Sequence, residues 1–521
     1  MSSSLFKALR INIGLTTLSR VVGMIRQVVI SSQLGLSVWA DAYQVGFRLA
    51  NLFRMLLGEG ALGAAFIPVY TQLLHQEQQK DADLCFSIVF NYLFVILLLL
   101  VLWGCLFPAF FVDLTAVGLS GAAREKAIWM TRLMFPYLFF VGLAGLLMAV
   151  LNSHKHFTIT AAQPIVWNLC IIFSPLLPIN CSIAEKFACG VLLGGALQFL
   201  VQIPFLSKFK VKFQLCFEHR VPAFRQVLWL LGPVVLTSAI SRINSLVDQR
   251  FASMLPVGSI AALGYALLLM QTPLGIFGVS IANAYFPDLS ELALNIDQSP
   301  FLKRLRDAFS VISMLAIPAS LGLVLIGKDL VCFLFQHSQF TQANTQITAQ
   351  VLSAYALGLL PFSLIHILNR SLYAMKDTRT TLFIGVIMIF INYICDYVLV
   401  NTWGLNGLAL ATSVVAWIYF LLLCIALIRK CHQSFWNSEL TREMLKIFIS
   451  SLMMVFFAHY GKIFFLKTLP FSPSLLWKGV IGVKIEALRN IILIMGIALP
   501  GYYVMGYFLN LKGFFTLKLK K

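Results

Sequence analysis

The chain has 521 residues, of which 60% are hydrophobic and only 11% charged, and a formal net charge of +19. Soluble globular chains carry about 45–50% apolar and about 25% charged residues, so a water-soluble fold of this composition would expose apolar patches large enough to aggregate. A soluble protein is excluded, and a nucleic-acid surface with it, because most of these cations read as anchors beside anionic lipid headgroups.

Taken in chain order, about fourteen apolar segments come near the roughly 20 residues that cross a hydrocarbon core. They are 11–33, 42–72, 84–111, 128–151, 158–180, 187–206, 224–254, 261–287, 305–327, 347–374, 381–401, 404–428, 444–465 and 486–510. The predicted fold class is an all-α polytopic membrane protein, since a helix pairs its backbone polar groups within its own segment. The first segment is expected to be retained rather than cleaved, because Arg20 and Arg26 interrupt its apolar core and no small-residue cleavage site follows.

An even number of spans places both termini on one side. With the N-terminus inside, about 22 Lys and Arg fall in cytoplasmic segments and about 8 outside, the bias that orients membrane proteins. The clearest internal loop is 207–225, with Lys208, Lys210, Lys212, Arg220 and Arg225; the C-terminal tail adds Lys512, Lys518, Lys520 and Lys521. The loop with Lys467, Lys478 and Lys484 runs against the bias. The ten cysteines show no C-x-x-C spacing and predict neither a disulfide framework nor a zinc site.

An internal repeat organises the chain. Residues 16–43 align without gaps to 238–265, matching Ser19/Ser241, Arg20/Arg242, Gln27/Gln249, Ser31/Ser253, Ser37/Ser259, Ala40/Ala262 and Tyr43/Tyr265. Spans one and seven are thus equivalent, which predicts two six-helix lobes related by an axis along the membrane normal. The expected divisions are 1–206, a basic cytoplasmic linker at 207–223, 224–430, and a two-helix extension with a basic tail at 431–521.

Ionised groups inside a span cost about 2.5–3.5 kcal/mol each on insertion scales and are functional candidates for that reason. The first half holds Arg20, Arg26, Asp41, Arg48, Arg54 and Glu59. Asp41, Arg48 and Glu59 share a helical face at about 100° per residue. The excess of guanidinium groups suits bidentate recognition of a phosphate-bearing anion, with snorkelling or structural pairing as the alternative. In the second half, Asp248 stands at the repeat position of Arg26, and Asn392 and Asp396 share a face at i, i+4. Together with Thr412 they offer oxygens for a hard monovalent cation such as sodium; pairing of the acids with Arg242, Arg250 or Arg370 is the competing expectation. His154, His156 and His366 are isolated and read as structural.

Residues 19–70 contain SR-x-x-G-x-x-R, D-A-Y, N-L-x-R and E-G-A elements in register, and VDQRFASMLPVGSIAALGY from Val247 and NRSLYAMKDTRT from Asn369 extend the pattern. This combination resembles the MurJ (MviN) lipid II flippases of the multidrug/oligosaccharidyl-lipid/polysaccharide exporter superfamily. The resemblance implies a bacterial inner-membrane protein with both termini cytoplasmic. It would move undecaprenyl-diphosphate-linked peptidoglycan precursor from the inner to the outer leaflet, with no covalent catalysis. Lipid II and membrane lipids are the implied partners, with other cell-wall synthesis proteins as further candidates and no nucleic acid. It further implies that Arg20, Arg26 and Arg54 face the substrate diphosphate, that Asp41 is a cavity acid, and that Glu59 lies in the matching E-G-A element. Sodium would fall on Asp248, Asn392, Asp396 and Thr412, and the last two spans would hold the isoprenoid tail. Two positions depart from the pattern: Leu268 stands where a basic residue is common, and Gln27 where an acid often follows the second arginine. Either the arginine cluster is one member short or another residue supplies the charge, with Arg242 expected ahead of Arg250. Another exporter of the superfamily, or a membrane enzyme acting on polyprenyl diphosphates, are the alternative functions; the second is disfavoured by the absence of an acid-rich metal motif in the sequence.

Overall fold

The structure is a computed structural model, and it describes residues 3–55, 61–209, 211–468 and 479–511. Regular structure among the described residues is helical. The chain divides into two compact units, Met1–Ala261 and Ala262–Lys521.

The first unit opens with α1 (Ser3–Leu34), α2 (Val38–Arg54) and α3 (Ala61–His75). Gly35, with φ 57°, follows the last residue of α1, and Ser37 starts the next helix: its backbone is extended, and its hydroxyl accepts from the Ala40 N–H at 3.3 Å, meeting one of the open donors of the α2 first turn. Then come α4 (Gln79–Leu106), α5 (Pro108–Thr115), α6 (Gly121–Met134), α7 (Tyr137–Ser153) and α8 (Phe157–Phe173). The unit continues with α9 (Ile183–Leu200), α10 (Ile203–Lys208) and α11 (Pro222–Ser253). α9 begins with a capping box in which Ser182 and Glu185 satisfy each other's backbone N–H. Leu98, Leu99, Leu102, Trp103 and Leu106 lie exposed along α4, a face suited to lipid rather than water. α1 packs along α8, and α8 along α9. His154 stacks on Phe209 at 4.5 Å and His156 on Phe205 at 5.5 Å between ring centres.

α12 (Ser259–Pro273) passes from the first unit into the second. The second unit continues with α13 (Ser280–Leu292), α14 (Ser299–Phe335), α15 (Gln342–Ala356), α16 (Leu359–Ala374) and α17 (Thr378–Cys431). It ends with α18 (Ser438–Thr468) and α19 (Val480–Phe508). Its core gathers Phe301, Phe309, Leu368, Phe420 and Phe435, all nearly inaccessible to solvent. α18 and α19 pack on each other and on α14, where the Tyr502 hydroxyl donates to the Met314 carbonyl at 2.7 Å. Lys462 of α18 and Asn490 of α19 both reach Asp329 of α14, at 3.1 and 3.3 Å.

Among the described residues, nine helices are long and apolar enough to cross a membrane, or ten if the α15–α16 pair, bent by 43°, counts as one span. That is fewer than the segments read from the sequence, for identifiable reasons. α17 joins the segments expected at 381–401 and 404–428 into one 54-residue helix. Gly404 breaks it with φ 56° and ψ −130°, a conformation that costs a side-chain-bearing residue heavily. α1 and α11 are 32 residues each and long enough, but arginines and polar side chains interrupt their apolar character. The segment expected at 42–72 falls on α2 and α3, with 56–60 outside the described residues.

Candidate functional site

Arg26 projects from α1 into a cavity of about 390 Å³ within the first unit. Its guanidinium carbon lies 4.7 Å from the centre of the Trp167 ring and 5.9 Å from that of Phe47, so aromatic faces of α8 and α2 carry the charge. Arg54 enters the same cavity from the last turn of α2 and is steered by Asn51, whose Oδ1 accepts from its Nε at 2.8 Å. Arg54 is close enough to both Arg26 and Arg242 for like-charge repulsion to act between them. Three of the sequence candidates are therefore brought together, all in the first unit.

Others go elsewhere. Arg20 is exposed on α1 and does not line this cavity. Asp41 is buried and turned away from it, accepting from the Gly258 N–H at 2.6 Å and the Ala261 N–H at 2.8 Å. The Asp41 carboxylate thus caps the first turn of α12, where open N–H groups and the helix dipole favour a negative charge. Gly258 turns the chain there with φ 92°, and a Cβ on it would press to 2.7 Å against Leu36. Arg48 is half-buried on α2 and its charge acts on Asp41. Glu59 lies outside the described residues.

Sequence reasoning followed charge and so missed the neutral side of the cavity, which Trp167, Asn168, Gln198 and Tyr137 form with Asn51. A signal was available: Gln163 and Trp167 stand at i, i+4 and share one helical face in an otherwise apolar segment, with Asn168 next to them in sequence. Among the described residues, four buried polar atoms around the cavity have no hydrogen-bond partner: Arg26 Nε, Trp167 Nε1, Asn168 Oδ1 and Gln198 Oε1. Buried polar atoms are nearly always hydrogen bonded, so two donors and two acceptors waiting in one place mark a polar binding site.

In the second unit Asn392 and Asp396 are both buried, and the Asn392 amide donates to Asp396 Oδ2 at 3.0 Å. The Thr412 hydroxyl donates to the Leu408 carbonyl at 3.2 Å, which leaves its oxygen lone pairs for another partner. Asp248 belongs to the first unit. Arg370, one competing partner for these acids, places its guanidinium on Asn283 Oδ1 at 2.8 Å and 5.1 Å from the Phe286 ring centre.

The family model of the lipid II flippase MurJ matches residues 30–476. This chain belongs to the MurJ family. It is similar to the lipid II flippase MurJ of Burkholderia cenocepacia, with 31% identity over 81% of this chain and 84% of that protein. It is also similar to a probable MurJ of Buchnera aphidicola subsp. Schizaphis graminum, at 30% identity over 96% of each. A solved lipid II flippase MurJ in an inward closed conformation superimposes with a TM-score of 0.78 at 27% identity, covering 96% of this chain and 99% of that one. An inward-facing multidrug resistance transporter of the MATE family shares the fold at a TM-score of 0.62 and 14% identity, covering 81% of this chain and 99% of its own. MurJ membership and the apolar helices make the chain a multi-pass bacterial membrane protein.

Proposed function

We propose that this MurJ-family protein translocates lipid II, the undecaprenyl-diphosphate-linked peptidoglycan precursor, from the inner to the outer leaflet of the cytoplasmic membrane. The observation that carries the reading is the juxtaposition of Arg26 and Arg54 in one cavity, with Arg242 in electrostatic range. Clustered guanidinium groups repel one another, and a diphosphate relieves that repulsion while accepting bidentate hydrogen bonds. The partnerless Trp167 Nε1, Asn168 Oδ1 and Gln198 Oε1 suit a headgroup that also carries hydroxyls and amides.

The protein would act without covalent chemistry. The cavity replaces the hydration shell of the headgroup while the isoprenoid tail stays in lipid, and two lobes, 1–206 and 224–430, change access by rocking. The apolar groove of about 800 Å³ between α18 and α19, lined by Phe457, Gly461, Ile497 and Gly501, is where the tail would lie. An inside-negative potential favours outward movement of the negative headgroup, by about 2.3 kcal/mol per charge per 100 mV if it moves uncompensated.

Asp248, Asn392, Asp396 and Thr412 would hold sodium as a coupling cation. Their donor set fits, since it consists of carboxylate, amide and hydroxyl oxygens, the ligands of hard cations. Bound sodium would place a positive charge beside buried Asp396. Both termini would face the cytoplasm, and other cell-wall synthesis proteins are candidate partners.

The test is complementation. Expression of this chain should restore growth and lipid II export in a bacterium depleted of its own lipid II flippase, and the Arg26→Ala variant should not. Failure of the wild-type chain at normal membrane abundance overturns the assignment.

A further inference from the structure

The linker read from the sequence as a cytoplasmic loop has features that a solvated loop does not need. Residues 211–217 form no helix and run along α4. Three polar side chains of α4, Ser87, Asn91 and Tyr92, are spent on the linker's backbone. Asn91, 4% exposed, donates to both the Gln214 and Cys216 carbonyls at 3.0 and 2.9 Å. The Tyr92 hydroxyl donates to the Phe217 carbonyl at 2.9 Å, and Ser87 Oγ accepts from the Gln214 N–H at 3.0 Å. Such dedicated partners matter where water is scarce, because an unpaired backbone group in an apolar medium costs far more than in water.

The side chains point to the same environment. Phe213, Leu215 and Phe217, spaced two apart as on one face of an extended chain, are 54%, 81% and 45% exposed. α11 begins beside them, with Phe224 stacked on Tyr92 at 5.1 Å, and presents Trp229 at 78% exposure. Lys212, Arg220 and Arg225 lie exposed around this apolar row. Aromatic and aliphatic side chains bracketed by cations form the pattern of an element lying in a bilayer interface, with its apolar side in the acyl boundary and its charges among phosphates.

We propose that the linker from 211 onward, together with the first turn of α11 up to Arg225, is a binding site for anionic phospholipids of the leaflet it touches. Phe213, Leu215 and Phe217 enter the edge of the acyl layer, and Lys212, Arg220 and Arg225 hold the phosphates of lipids with net negative headgroups. α4 acts as the rail that keeps the linker at this depth. The site is separate from the cavity around Arg26 and does not depend on what that cavity carries.

The full-length protein is placed in nanodiscs of phosphatidylcholine with and without phosphatidylglycerol, and thermal unfolding is measured. Phosphatidylglycerol should raise the melting temperature of the wild type, and the Lys212→Gln/Arg220→Gln/Arg225→Gln variant should lose most of that rise. A control variant, Lys303→Gln/Arg306→Gln/Arg379→Gln, should keep it. In parallel, the extra tryptophan emission of Leu215→Trp should be quenched by lipids brominated near the glycerol end of their chains. No preference for phosphatidylglycerol in the wild type, an equal loss in the control, or unquenched, water-like emission from position 215 would each overturn the proposal.

Discussion

The guanidinium of Arg26 stands over the face of Trp167, 4.7 Å from the ring centre, so that a charge on α1 is carried by an aromatic on α8. This contact explains how a cation is tolerated inside an apolar segment without an acid on its own helix. A desolvated cation–π pair contributes about 2 kcal/mol, a large fraction of the insertion cost of an arginine. It also holds the guanidinium plane in place for an incoming anion.

Replacing Trp167 tests that role. Trp167→Leu should lower lipid II translocation about tenfold or more, since the cavity loses both the ring face and the Nε1 donor. Trp167→Phe should retain part of the activity by keeping a ring. Translocation is read from labelled lipid II in proteoliposomes at matched protein density; full activity in the Leu variant would show that the stacking does not position Arg26.

Asp41 is expected to act through structure. Asp41→Ala leaves the Gly258 and Ala261 N–H groups without their acceptor, at a cost of about 1–3 kcal/mol. Its melting temperature in detergent should fall, whereas Asp41→Asn, which keeps one carbonyl acceptor, should fall less. An unchanged melting temperature in the Ala variant would refute the capping role.

Sodium binding at the second-unit acid makes a thermodynamic prediction. A ligand that binds only the folded state adds stability as RT ln(1 + [L]/Kd), about 2.7 kcal/mol at one hundred times Kd. Sodium should therefore stabilise the purified protein more than potassium at equal ionic strength, and Asp396→Asn should abolish the difference. Equal effects of the two ions on the wild type would remove the cation site from the mechanism.

The fastening of the C-terminal helices rests on Asp329. It meets both Lys462 and Asn490, and its carboxylate is partly exposed, so its removal should cost about 1–2 kcal/mol rather than the larger penalty of a fully buried pair. Asp329→Ala should speed hydrogen exchange in α18 and α19 with little change in the first unit. Uniform exchange across the chain would mean the packing around Met314 and Tyr502 alone holds them.

Arg242 tests the departure at Leu268. If the cavity uses Arg242 as its further cation, Arg242→Ala should impair growth in the complementation strain, and adding Leu268→Arg should restore part of it. Normal growth of the single variant would show that Arg26 and Arg54 suffice.

Composition and the apolar runs determined by themselves that this chain is a polytopic helical membrane protein, because hydrocarbon admits only backbones that satisfy their own hydrogen bonds. The same logic exposed Arg26, Arg54 and Asp396, since charge inside an apolar run is conspicuous in any sequence, and the motifs of residues 19–70 pointed to the family before any geometry. Spacing along one helix sorts residues onto faces but says nothing about which faces meet, and that only the tertiary structure decided. Helical-face arithmetic put Asp41, Arg48 and Glu59 on one face, but it could not say that the Asp41 carboxylate meets the first turn of α12. Arg26 and Arg54 meet with Trp167 and Gln198 because α1 packs along α8 and α8 along α9. Neutral polar residues leave a faint trace in sequence, since each costs an apolar span little until its partners are buried around it.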